Sequence, residues 1–395
     1  MSNNTSIKIY TKYFDYALIA FSMFYCIRKS LLDFTWMHTL ASIMLLLSCG
    51  LSLLSILCNY KWSIINIIAF LLLFCIPLYL KVAYNSDVFV STMLVLAAYN
   101  IPFSHIAKIC SKTIIAIIAI VLFSLFVGII DDNVHYRDVD IYQDGYAHDL
   151  GFKYYSVYAV LGMGWMQSII YLWKQRISLM RVLFLIALAC LIFFLSSTRT
   201  QFYAYIIFIT TIFINKYVPK KILYNKLFVV VAIILYPIIC IVQYFVSKYQ
   251  ILSLFYDDFK ELDNTFNGRL HLNEEAFIRY DVTFWGNNLE FETNRLTLKE
   301  YFYIDSGYMQ SLLGDGLIFI SIILIMYCVL TYKIIKAKAY YLYIWIVLYA
   351  FLNTTSTLFV NLFANPMLFL VFSDIETIRD DYYSEKSSVR RRIYN

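Results

Sequence analysis

The run VLFLIALACLIFFL, residues 182–195, carries no charged side chain. SSTRT follows it, and the chain then passes at once into QFYAYIIFITTIFI. Runs of this kind recur along all 395 residues. A helix needs about 20 apolar residues to cross the hydrocarbon of a bilayer. Only structures that satisfy every backbone polar group internally can cross, which leaves helices and closed barrels. Barrel strands alternate polar and apolar residues, and these runs do not. The chain therefore reads as an all-α polytopic membrane protein forming a single multi-pass domain, residues 1–395. Its charged fraction, 15%, supports this, since soluble domains carry about 25%.

About twelve spans are expected. They lie near 13–27, 36–57, 62–80, 88–106, 113–130, 154–173, 179–195, 200–215, 227–247, 307–332, 339–354 and 357–373. The last two are short, and one broken helix plus a re-entrant piece suits them equally. Orientation follows from lysine and arginine in short loops, which stay in the cytoplasm. Lys108 and Lys112 mark one side, as do Lys174, Arg176 and Arg181. Lys216, Lys220, Lys221 and Lys226 mark it again, followed by Lys333, Lys336, Lys338 and the tail residues Arg390, Arg391 and Arg392. On this reading both termini are cytoplasmic. Arg28 and Lys29 fall on the wrong side under it.

Two long connections then fall outside, over 131–151 and 248–303. The first is rich in aspartate and reads as a solvated loop. In the second, NGRLHLNEEAFIRY forms an amphipathic helix, with Leu272, Ala276 and Tyr280 on one face. The eight cysteines include no CxxC pair, and the five histidines show no HExxH-like spacing, so neither disulfides nor a metal site is expected. Most of the 36 tyrosines and 32 phenylalanines are expected to face lipid or the interface.

Arg199 is the only formal charge between Arg181 and Lys216. A charge at membrane depth costs about 2.5–3.5 kcal/mol on insertion scales. The SSTRT turn puts Arg199 at the outer interface, either as a snorkelling anchor or as a ligand group. Arg269 and Arg279 lie on the loop helix, roughly 80° apart around its axis. YIDSGYMQSLLGDGLIF follows, with Asp305 and Asp315 at the start of the next span and Gly307, Gly314 and Gly316 permitting close helix packing. Guanidinium forks suit a diphosphate, and a nearby carboxylate can serve as a base for a sugar hydroxyl. Blander roles compete. Arg279 can pair with Glu275, and Asp305 can cap the helix starting near Gly307. His271, Glu274 and Glu275 suit a solvated helix face, with His271 the best alternative base.

SSTRT after a span, NGR opening an outer-loop helix, WGNN, and DSGYMQSLLGDG leading into the next span together resemble bacterial polysaccharide repeat-unit polymerases. These are the O-antigen and capsule polymerases of the Wzy type, within the O-antigen polymerase and ligase superfamily. HDLGFKYYSVYAVLG, residues 148–162, is similar to the family's LGF-x-x-x-N segment, with Tyr155 and Ser156 where Pro-Asn is common. The likeness covers roughly residues 148–320. It implies a fold similar to C-type glycosyltransferases. It also implies transfer of a growing glycan from undecaprenyl diphosphate to the next lipid-linked repeat, without cofactor or metal. Arg199 and Arg269 would bind the diphosphate and Asp305 would act on the acceptor, with Arg279 and His271 as further binding residues. The expected partners are lipid-linked donor and acceptor, membrane lipids and a possible chain-length regulator, with no nucleic acid. An O-antigen-type ligase or a lipid-linked oligosaccharide flippase is the alternative. Aspartate at 305, where ligases tend to carry histidine, favours the polymerase.

Overall fold

A computed structural model describes residues 2–32, 34–84, 86, 88–137, 145–173, 177–217, 225–249, 269–291 and 302–374. Lys174, Arg176, Lys220, Lys221, Arg390, Arg391 and Arg392 lie outside these residues, as do 138–144 of the first long connection and 250–268 and 292–301 of the second.

The chain is mostly helical. It runs α1 (Ser2–Lys29), α2 (Thr35–Asn59), α3 (Ile64–Tyr84), α4 (Val88–Ala97), α5 (Phe103–Phe126), α6 (Ser156–Trp173), α7 (Leu179–Ser196), α8 (Arg199–Tyr217), α9 (Lys226–Lys248) and α10 (Arg269–Arg279). α11 (Gly307–Gln310) passes through a π turn (Ser311–Asp315) into α12 (Gly316–Lys336), and α13 (Tyr340–Leu352) precedes a 3₁₀ helix (Pro366–Val371). Among the described residues, six stretches are long and apolar enough to cross a membrane. They lie in α2, α3, α5, α7, α9 and the α11–α12 rod. This is a helical membrane protein.

Two expected spans come out differently. The fourth was placed over 88–106, but α4 ends at Ala97. Asn100 takes a left-handed φ of 56°. Pro102, which has no N–H to continue a helix, caps α5 instead. Lys108 and Lys112 therefore sit on an exposed face of α5 rather than in a loop. The final span, placed over 357–373, is no α-helix. Residues 353–365 run as turns and lead into the 3₁₀ helix. The chain thus passes from Asn353, bonded to Gly307 near the hairpin end, to Asp374, bonded to Ile101 at the other end, and does not turn back as a re-entrant piece.

The first long connection forms an antiparallel hairpin, β1 (Val134–Arg137) with β2 (Gly145–His148). It is not simply a solvated loop: Asp149 is buried, and Asp132 bonds the His148 ring at 2.6 Å and the Leu150 amide at 2.8 Å. The hairpin marks one end of the bundle. The Lys153 amide donates to Lys29 at the end of α1, and Ser197, between α7 and α8, reaches the Tyr146 carbonyl. At the opposite end Asp374 pairs with Ile101, and the Lys333 ammonium donates to the Leu370 carbonyl at 3.3 Å.

Five tyrosines build the centre, away from the lipid boundary expected for most of their kind. Tyr205, Tyr236, Tyr308, Tyr327 and Tyr349 are fully buried beside Trp345. Lipid supplies no hydrophobic force between helices, so packing and interhelical hydrogen bonds of about 0.6–2 kcal/mol hold them. Tyr236 donates to the Ile346 carbonyl at 2.8 Å, Tyr308 to Ala350 at 2.9 Å, and Tyr327 to Phe359 at 2.7 Å. The Tyr236 and Tyr327 rings stack 4.0 Å apart.

Candidate functional site at the hairpin end

α10 is amphipathic as expected: Ala276 is fully buried, with Leu272 and Tyr280 partly so. The buried side is broader than the sequence implied. Asn273 and Glu274 are also covered, so Glu274 is not a solvated residue. His271 is exposed.

Arg269, the first residue of α10, donates from Nε to Asp305 Oδ2 at 3.0 Å across 36 residues of chain. The two side chains are 24% and 29% exposed, so they meet solvent at the bundle surface. Arg279 does not join them. It bonds Glu275 one turn back, and its guanidinium carbon lies 4.2 Å from the Phe302 ring centre. Arg199 is exposed at the first residue of α8. Among the described residues no hydrogen bond or ion pair links it to Arg269 or Asp305. The SSTRT turn itself is tight. Ser197 adopts a left-handed φ of 50°, and the Ser196 and Thr198 hydroxyls bond at 2.7 Å.

Asp305 is not the helix cap. Ser306 caps α11, its hydroxyl accepting from the Met309 amide and donating to Gln243 Oε1 at 2.8 Å. The carboxylate is thereby left to Arg269. Beside it, burial pushes the Tyr303 hydroxyl pKa up; Thr357 lowers it by a hydrogen bond, and the Asp305 charge raises it again. Tyr303 is a proton donor at neutral pH. Its ring packs 4.8 Å from Phe291.

The loop 283–287 lies across the π turn. Asn287 N–H donates to Gly314, Leu317 N–H to Thr283 and Ile318 N–H to Phe284, at 2.9–3.2 Å. Gly286 and Gly316 carry φ of 89° and 87° where the two backbones cross, and a Cβ on Gly316 would sit 2.6 Å from the Phe284 oxygen. The glycines expected to serve helix packing thus serve loop packing at Gly316. Single π turns of this kind recur at functional sites.

Behind the crossing lies a cavity of about 350 Å³. Its walls come from the end of α1 (Tyr25, Arg28, Lys29), the WGNN loop (Asn288), Phe291, and Gln310 of α11. Asp315 also lines it and accepts from Ser86 at 3.1 Å. Sequence reasoning missed this cavity because its walls come from segments far apart in the chain. The one signal was the misplaced pair Arg28–Lys29.

No protein-family model, curated protein or solved structure matches the chain.

Proposed function

We propose that this protein is a glycosyltransferase that polymerises undecaprenyl-diphosphate-linked oligosaccharide repeats into a surface polysaccharide, an O-antigen or a capsule. The observation that carries the reading is the pairing of Arg269, at the start of α10, with Asp305, in the turn leading into α11. Arginine has five N–H donors. Asp305 occupies Nε and fixes the fork, leaving the terminal amino groups for diphosphate oxygens. Transfer breaks the bond between the donor's anomeric carbon and its phosphate oxygen and makes a bond to an acceptor hydroxyl. The hydroxyl proton passes to Asp305, and charge developing on the departing undecaprenyl diphosphate is met by Arg269 and Arg199. The diphosphate is already an activated leaving group, so the step needs no added metal. Arg279, committed to Glu275 and Phe302, braces the site, and His271 lies within the same loop for sugar contacts.

Purified protein supplied with lipid-linked repeats is expected to form a ladder of longer glycans. Asparagine at 305 keeps the shape but takes no proton, and base assistance is worth about 10²–10⁴-fold. Ser306 retains the cap, so Asp305→Asn should fold normally and run at least about 100-fold slower. A parent-like rate in this variant removes Asp305 from the chemistry. Absence of any ladder from the parent protein overturns the polymerase reading. Loss of all surface glycan on gene deletion, rather than of long chains alone, would mark a flippase.

In this reading the hairpin end faces outward, both chain ends are cytoplasmic, and about twelve segments cross. Asn288→Cys, in a chain whose native cysteines are replaced, should react with an impermeant maleimide on intact cells. Reaction only after lysis reverses the orientation and removes the mechanism with it.

A further inference from the structure

We propose that the cavity between the end of α1 and the π turn binds an acidic saccharide, a hydroxylated ring bearing a carboxylate or phosphate, with Arg28 reading the anion. Three independent observations converge on it.

The first is topological. Arg28 and Lys29 stand at the hairpin end of the bundle, where the short turns otherwise hold single cations, Lys153 and Arg199, and no adjacent pair. Cations near membrane helices bias orientation, so two of them on the disfavoured side work against the threading of α1 and α2. A role at that end accounts for their presence. Complementing the α1 dipole is the plain alternative, worth about 0.3–1 kcal/mol for a charge at a helix end. That role needs only one residue and no cavity, yet both side chains line the same one.

The second observation is the state of the polar groups. Among the described residues the side chains of Arg28, Asn288 and Gln310 have no protein partner; Arg28 and Asn288 face solvent, Gln310 is half-buried, and all three line the cavity. An amide offers two donors and an acceptor, which is what a sugar hydroxyl, donor and acceptor at once, can use. A purely apolar occupant would strip solvent from whichever of these groups it covered, at up to about 1–3 kcal/mol for one left fully buried and unpaired.

The third is the wall. Tyr25 and Phe291 give aromatic surface beside the amides. Ligand pockets of about 300–1,000 Å³ combine apolar and aromatic walls with a few oriented polar groups, and a volume of about 350 Å³ fits one or two sugar rings. A bare inorganic anion would use Arg28 and leave the aromatic wall and amides idle. On the glycosyltransferase reading this is the acceptor's place, because Gly307 in the cavity wall follows Asp305 by two residues. Binding itself does not depend on that reading.

The test is direct binding to the purified full chain in nanodiscs of neutral phosphatidylcholine. Two probes are compared by ligand-observed NMR titration: a glucuronate-containing disaccharide and its carboxyl-reduced neutral twin. The acidic probe is expected to bind at least about tenfold tighter, the scale of one charge-assisted fork. Arg28→Gln should bring the acidic probe down to the neutral one's affinity, Arg28→Lys should keep part of the preference, and Asn288→Ala should weaken both probes alike. Equal affinity of the two probes for the parent protein, or no binding of either, overturns the proposal. So does full competition by inorganic phosphate at equal concentration, which would mark a simple anion site. Displacement of the acidic probe by phosphatidylglycerol in the disc would assign the cavity to a lipid headgroup and overturn it too. Polymerisation can fail while this binding holds, and the reverse, so the two readings are tested apart.

Discussion

Arg269→Ala should lower glycan elongation by at least about 100-fold while the protein still inserts and accumulates. Two magnitudes set this expectation. The ion pair with Asp305 is part-exposed, at 24% and 29%, and exposed pairs contribute about 0.2–1 kcal/mol to stability. Losing it should leave the fold standing. A donor aimed at charge that develops in the transition state is worth about 10²–10³-fold in rate. Arg269→Lys should rescue poorly, because an ammonium offers a point charge and no fork. The measurement is chain-length distribution from purified protein supplied with lipid-linked repeats, with membrane abundance as the control. Arg199→Ala belongs in the same experiment and is expected to fail likewise. Long chains from either alanine variant would return that arginine to an interfacial or packing role.

Gly164→Ala should be the most damaging single-methyl change in the bundle. Gly164 lies in α6, and a Cβ there would fall on the carbonyl oxygen of Phe363, with the Phe363 carbonyl carbon only 2.7 Å away. Both obstacles are backbone, so no side chain can swing aside. Overpacking costs about 1–3 kcal/mol, occasionally more, and this position should reach the upper end. Gly50→Ala in α2 is the matched control, because nothing lies within 4 Å of its Cβ. It should be neutral, or stabilising by up to about 1 kcal/mol through helix propensity. Thermal unfolding in detergent reads both. Parent-like behaviour of Gly164→Ala would mean that α6 and the 353–365 segment are not in contact.

The apolar runs identified the helices because a membrane span is encoded locally, in length and composition. α2, α7 and α9 fall within two residues of their expected limits at either end. Local reading failed where a tertiary partner decides. The Ala97–Phe103 break is invisible to hydropathy, since Tyr99 and Ile101 continue the apolar pattern through it. Residues 357–373 are apolar enough to read as a span, yet only isolated i→i−4 bonds form there, at Asn365 and Ser373, and tyrosines of other helices hold the Phe359 and Ala364 carbonyls. The Arg269–Asp305 pair was foreseen as neighbours on one face, but not as partners. Asp305 was read as a candidate cap for α11, yet its neighbour Ser306 holds that place; both residue types cap well, and only geometry separates them. Arg279 went to its plain role with Glu275, as i, i+4 spacing allows.

The stretch 353–365 bears on how the chain is made. Its backbone is satisfied in part from outside itself, by Tyr327 on the Phe359 carbonyl and Tyr349 on the Ala364 carbonyl, and only locally by its own Asn361, whose Oδ1 accepts from the Phe363 and Ala364 amides at 3.1 Å. A peptide that cannot close its own hydrogen bonds has no stable resting place in hydrocarbon by itself. During biosynthesis it must therefore wait at the membrane surface, or within the insertion machinery, until α12 and α13 present their hydroxyls. Completion of the bundle is then a docking event late in translation, and a ribosome that stops before residue 353 leaves an open slot beside α6 where the last strand of backbone should run.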